Sequence, residues 1–178
     1  MKSPKVLLFA SLALILGLTF VSLMPATAEA RRPGPTIVEI AASDPGNFST
    51  LVAAVQKAEL VDALNGNRHF TVFAPTNTAF DNAAEAVLGG GATGTDLVDA
   101  LDKDTLTNIL LYHVTRGDRQ SQSLFPPKSV KMLNGDRTVT SIEDGKPFIN
   151  DSEIIIKDIR ASNGIVHVIN AVLLPPSN

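Results

Sequence analysis

Cysteine is absent from this 178-residue chain. Its absence excludes a disulfide framework, a thiolate zinc site, a cysteine nucleophile and a lipidated N-terminal cysteine. Tryptophan is absent too, and tyrosine occurs once. A basic excess is also missing: 15 Lys and Arg stand against 18 Asp and Glu, for a formal charge of −3. No nucleic-acid partner is expected, because nothing is in surplus to neutralise phosphates. Short nucleophile motifs are missing as well; there is no G-x-S-x-G, S-x-x-K or H-E-x-x-H. What remains is 44 % apolar and 19 % charged, a globular composition rather than a disordered one. No internal repeat points to a solenoid or propeller.

The first 30 residues read as an export signal. Lys2 and Lys5 precede an uncharged apolar run from Val6 to Met24. Pro25 breaks it, and Ala26-Thr27-Ala28 and Ala28-Glu29-Ala30 both fit the small-x-small cleavage rule, so the cut is expected after 28 or 30. The run also approaches the roughly 20 residues of a membrane anchor. The proline and the cleavage triplets favour removal, which leaves no stable membrane span. Residues 31–35 are a Pro-rich leader, 36–175 the folded domain and 176–178 a tail.

The first half of the domain has helical periodicity. Asp44-Pro45-Gly46-Asn47 can cap a helix start, with Asn47 as the cap. Phe48, Leu51, Val52 and Val55 form a stripe that breaks at Glu59 and resumes at Leu60, Val61 and Leu64. Two short helices or one kinked helix are expected, ending at Asn65-Gly66. Phe70–Ala74 reads as a strand stopped by Pro75, and Thr78–Asp81 as a capping box. After a Gly89–Gly94 loop, helical pieces fall near 95–102 and 104–112. Beyond Pro127, Asn134-Gly135, Asp144-Gly145 and Asn163-Gly164 are hairpin-type turns. The strands between them are Ser129–Leu133, Arg137–Ile142, Phe148-Ile149, Glu153–Ile159 and Ile165–Leu174. Helices first and antiparallel strands later imply an α+β domain with segregated layers.

Three stretches together resemble the fasciclin domain family. Asn47–Ala54 is similar to its first helix, His69–Phe80 to its first signature box, and Ser162–Asn170 with Ala171–Pro175 to its second. Between them, Leu110–Val114 resembles the family's tyrosine–histidine motif. The resemblance covers the mature chain. It implies a wedge-shaped β-sandwich with a flanking helix cluster. It also implies adhesion without catalysis, and partners among cell-surface or matrix proteins or polysaccharides. Read as physics, the boxes are mostly fold instructions. Pro75 stops a strand; Thr76, Asn77 and Thr78 offer oxygens to the next helix; Asn163-Gly164 supplies a φ > 0 pair before a strand buried on both faces.

His69, His113 and His167 lack metal-ligand spacing, so no metal is expected. His167, between two valines, reads as a hydrogen-bonded core residue. Gly89–Gly94 matches G-x-G-x-x-G but follows a helix, so no nucleotide cofactor is expected. Asn47 and Asn150 head N-glycosylation sequons that matter only in a eukaryotic secretory pathway. Asp96, Asp99, Asp102 and Asp104 read as a solvated face with helix caps.

The candidate partner-binding residues are Tyr112, His113, Arg116, Gly117 and Asp118. The resemblance points to the first two, although both lie in an apolar run that suits a structural role. The last three spell the integrin-type tripeptide in an expected turn, where Gly and Asp are favoured in any case. The expected function is an exported, non-enzymatic binding module for adhesion or surface and matrix contacts. The alternatives are a carrier of a small apolar ligand between helices and sandwich, and a secreted hydrolase built from a spatially assembled Ser/His/Asp set.

Overall fold

In the computed structural model, residues 34–176 apart from 67 and 126 are described. The expected export signal, residues 1–30, and most of the expected leader lie outside them. The helices are α1 (Ile37–Ser43), α2 (Pro45–Lys57), α3 (Val61–Asn65), α4 (Asn77–Leu88), α5 (Gly94–Ala100), α6 (Lys103–Tyr112) and α7 (Ser121–Leu124). The strands are β1 (Phe70–Pro75), β2 (Val114–Arg116), β3 (Ser129–Lys131), β4 (Arg137–Glu143), β5 (Lys146–Ile149), β6 (Ser152–Ala161) and β7 (Gly164–Ile169).

Local chemistry explains most helix ends. The stripe break at Glu59 is real: Glu59 has φ +56°, a left-handed residue that separates α2 from α3. Two cap assignments from sequence need correction. Asp44, not Asn47, occupies the N-cap of α2, with Pro45 at the first helical position. Asn47 sits inside the first turn and donates to the Asp44 carboxylate at 2.8 Å. Thr76, not Thr78, caps α4 by accepting from Ala79 N at 3.2 Å. Asn77 then serves another helix: its Oδ1 accepts from Thr50 N, and its Nδ2 donates to the carbonyls of Pro45 and Gly46. Asp102 caps α6, and Asp96 closes the capping box whose N-cap is Thr93.

The strands form one hydrogen-bonded order, β2-β1-β7-β6-β5-β4-β3. From β3 to β7 every neighbour is antiparallel, and β1 joins β7 in parallel, Phe70 opposite Gly164. Both of these strands are buried at every position, as parallel strands covered on two faces must be. Strand β7 ends at Ile169 rather than at Leu174. The edges nearly meet. Leu133 N donates to the carbonyls of Val114 and Leu111, and the Thr115 hydroxyl donates to Lys131 O at 2.8 Å. Backbone edges that would otherwise invite another strand are thereby used.

Strands β1 and β7 form a wall between two cores. Phe70, Val72, Ala74, Val166 and Val168 face the helices, beside Ile37, Leu51, Val55 and Leu110. Phe73 and Ile169 face the other way, into the sheet interior with Tyr112, Leu124, Ile149 and Ile154. This is the alternation that a period of two imposes.

Turn chemistry is mixed. Asp144 and Gly145, at φ +49° and +77°, make the two-residue loop between Glu143 and Lys146 that Asp-Gly predicts. Asn163-Gly164 is not a φ > 0 pair. Only Gly164 is positive, at +153°, and it already belongs to β7. Glycine is required there for space: a Cβ would lie 1.9 Å from Phe70 O on the neighbouring strand.

Candidate functional site

Helix α6 runs directly into β2, and that junction carries the five candidate residues. Tyr112 and His113 end the helical turn and point inward; they are 2 % and 3 % exposed. The Tyr112 hydroxyl donates to Arg137 O at 3.2 Å and accepts from Asn150 Nδ2 at 3.1 Å. It thus joins the end of α6 to β4 and to the β5–β6 turn. Asn150 also accepts from Val139 N at 2.9 Å, so this sequon asparagine is part of the sheet's wiring.

His113 donates from Nδ1 to Ile109 O at 2.8 Å and accepts at Nε2 from Leu173 N at 2.9 Å. Those partners fix a neutral imidazole in the Nδ1–H tautomer. Burial lowers its pKa to about 4, against a smaller upward pull from the Ile109 carbonyl. As placed, Tyr112 and His113 offer a partner no free polar atom and almost no surface.

Arg116-Gly117-Asp118 is the reverse case. Arg116 and Asp118 are exposed, on a backbone pinned to β1. Gly117 N donates to His69 O at 2.8 Å, and Gly117 O accepts from the Thr71 hydroxyl at 2.7 Å. The same hydroxyl accepts from Arg119 N at 2.8 Å. The Asp118 carboxylate sits 2.9 Å from His69 Nδ1, with both side chains about half exposed. The tripeptide is therefore a fixed charged corner rather than a loose loop.

The structure does gather a serine, an aspartate and a histidine. Ser121 Oγ donates to the Asp158 carboxylate, and Ser121 N donates to it at 2.7 Å. Burial pushes the Asp158 carboxyl up, but those two donors outweigh it and hold it below the usual range. His167 does not touch the serine. Its Nδ1 accepts from Asp158 N at 3.2 Å, its Nε2 donates to Arg119 O at 2.9 Å, and its ring stacks on Phe73. Nucleophilic catalysis requires the histidine to accept the serine proton. Here the carboxylate accepts it, so the arrangement holds α7 onto β6 instead. Burial also lowers the His167 pKa. Among the described residues, no group of three or more His, Cys, Asp or Glu is placed to hold a metal.

Sequence reasoning missed a second feature. Two cavities of about 430 and 470 Å³ share Arg116 and Leu133. Arg119 and Lys131 line the first, and Arg68 lines the second. These cations are scattered along the chain, so no local motif announces them. It also missed Asn163. That side chain accepts from Ile37 N at 2.9 Å and donates to Leu64 O, clamping α1 and α3 to the turn before β7.

Helices over a nearly closed seven-stranded sheet define an α+β class. The fasciclin domain family model matches residues 46–175. The chain belongs to the fasciclin domain family. It is 44 % identical over 141 residues to protein sll1483 of Synechocystis, covering 79 % of this chain and 74 % of that one. It is 33 % identical over 145 residues to the cell surface glycolipoprotein MPB83 of Mycobacterium bovis, covering 79 % and 61 %. It is 38 % identical over 146 residues to the transforming growth factor-beta-induced protein ig-h3 of Sus scrofa, covering 82 % of this chain but 20 % of that one. The fold matches a domain pair from the insect cell adhesion molecule Fasciclin I, with a TM-score of 0.65 at 20 % identity over 80 % of this chain and 52 % of the other.

Proposed function

We propose that this protein is an exported, non-enzymatic binding module for adhesion or for surface and matrix contacts. Its partner side is the corner formed by Arg116, Gly117 and Asp118. The observation that carries this is the contrast within the five candidate residues. Tyr112 and His113 are spent on internal hydrogen bonds, whereas Arg116 and Asp118 stand exposed on anchored backbone. Preorganised exposed charge raises specificity and encounter rate without a cost of ordering a loop. The names of two matched proteins, a cell surface glycolipoprotein and a cell adhesion molecule, support the same reading. So does the apolar N-terminal run with its cleavage triplets, which supports secretion or a periplasmic location. Among the described residues, no helix is long and apolar enough to cross a membrane.

The carrier reading needs more volume than the apolar cavities beside His113 offer among the described residues. Two apolar cavities beside His113 measure about 40 and 70 Å³. A ring as small as benzene occupies a cavity of roughly 150 Å³. The test of the adhesion reading is a count of cells of the source organism on a surface coated with the exported chain. Attachment above an albumin coat is expected; attachment equal to albumin overturns the reading.

A further inference from the structure

We infer that the cleft between the β1–β2 corner and the β3–β4 turn binds acidic polysaccharide through its sulfate or carboxylate groups; this rests on the adhesion reading and names its ligand class. The cleft has two lobes, of about 430 and 470 Å³, that meet at Arg116 and Leu133. Four cations surround it: Arg116 at the junction, Arg119 and Lys131 on one lobe, Arg68 on the other. Among the described residues none of the four forms an ion pair. The ion pairs join His69 to Asp118, Lys103 to Glu59 and Lys146 to Glu153. Two carboxylates lie nearby, Asp118 beside His69 and Asp136 accepting from the neutral Asn134 side-chain amide, so the four cations outnumber them two to one. A chain with a formal charge of −3 therefore concentrates unpaired positive charge in one hollow.

A second observation points the same way. Lys131 and Arg137 are direct cross-strand partners in the antiparallel β3–β4 pair. Like charges placed opposite each other are unfavourable. Arg137 spends its Nε on Ser129 Oγ, a neutral group, and among the described residues no salt bridge balances the pair. A bound anion would.

The backbone under these groups is fixed. Arg116 is paired with Phe70, Arg119 N is held by Thr71, and Lys131 O by Thr115. Guanidinium forks match the planar carboxylate and the sulfate ester, and a fixed backbone beneath them lowers the cost of binding. The two lobes give successive sugar units separate seats beside Phe70 and Leu133. A peptide is the poorer fit. Peptides that bind sheets add as a strand, and here Leu133 N and the Thr115 hydroxyl already close the β2–β3 edge.

The full chain, purified after export, is passed over dextran sulfate, polygalacturonate, neutral dextran and poly-glutamate. Binding to dextran sulfate or polygalacturonate, weakening steeply as salt rises, is expected, with none to neutral dextran. Arg116→Gln or Arg119→Gln should each weaken it about tenfold. The triple variant with Lys131→Gln should abolish it, and Lys157→Gln should leave it unchanged. Equal loss in Lys157→Gln, or retention by the folded triple variant, overturns the cleft. Tighter binding to poly-glutamate than to either polysaccharide overturns the ligand class. Cell attachment by the same proteins separates the two claims. Attachment without polyanion binding rejects the cleft alone, and cleft-dependent polyanion binding without attachment rejects adhesion alone.

Discussion

His113 Nε2 accepts the backbone N–H of Leu173 at 2.9 Å, inside the protein. This one bond joins the end of α6 to the segment after β7. It requires a neutral ring. The unfolded chain's imidazole takes up its proton near pH 6.5, and the folded one only near pH 4. Between those values the unfolded state binds more protons, so stability rises with pH there. The contribution is complete above about pH 6.5 and is lost as pH falls toward 4, by on the order of 3 kcal/mol. His167, also depressed by burial, adds loss of the same sign. Urea midpoints from pH 7 to pH 4 should fall accordingly, and His113→Gln should remove most of the slope while lowering stability at pH 7. A flat profile in the parent protein would contradict this role.

Asn163 holds two helices through one buried side chain. Asn163→Ala would strand Ile37 N and Leu64 O without partners. The expected cost is about 2–4 kcal/mol, since each buried unsatisfied group costs roughly 1–3 kcal/mol. Chemical denaturation measures it; a change below about 0.5 kcal/mol would mean that water replaces the clamp.

Gly164 shows why close approach, not turn geometry, demands glycine here. With a Cβ 1.9 Å from Phe70 O, Gly164→Ala must push β7 off β1. It should cost more than about 2 kcal/mol, the range of overpacking and backbone strain combined. Gly94→Ala meets Phe80 Cβ at 2.5 Å, a clash between a helix start and a side chain. Thermal unfolding of the two variants side by side should rank Gly164→Ala as the more damaged.

Tyr112→Phe removes only the hydroxyl between Arg137 O and Asn150. A loss of about 1 kcal/mol is expected, the net worth of an ordinary hydrogen bond. Attachment of cells should not change, because the ring stays buried. Loss of attachment in a folded Tyr112→Phe protein would return the tyrosine to the partner side.

The helical stripe, the β1–α4 junction and the Asp144-Gly145 hairpin were legible because each is set by residues close in sequence. Helix α1 was not, because Ile37–Ser43 is too short to show a stripe; the capping box of Thr36 and Glu39 was the available signal. The parallel β1–β7 pairing and the closure of β2 on β3 join distant segments, which periodicity cannot place. Asn163 looked like half of a turn, yet its side chain reaches back to α1 and α3. The candidate site divides the same way. Arg116-Gly117-Asp118 could be read as a turn, whereas the inward aim of Tyr112 and His113 depends on Arg137, Asn150 and Leu173 from other elements. The cleft cations carried no pattern at all until β1, β2 and β3 brought them together.

The most direct test compares cell attachment to residues 31–178 with attachment to their Arg116→Ala/Asp118→Ala variant, circular dichroism confirming the fold of both. Attachment should exceed albumin for the parent and drop to the albumin level for the variant. Full attachment by the folded variant would contradict the assignment of the partner side to this corner.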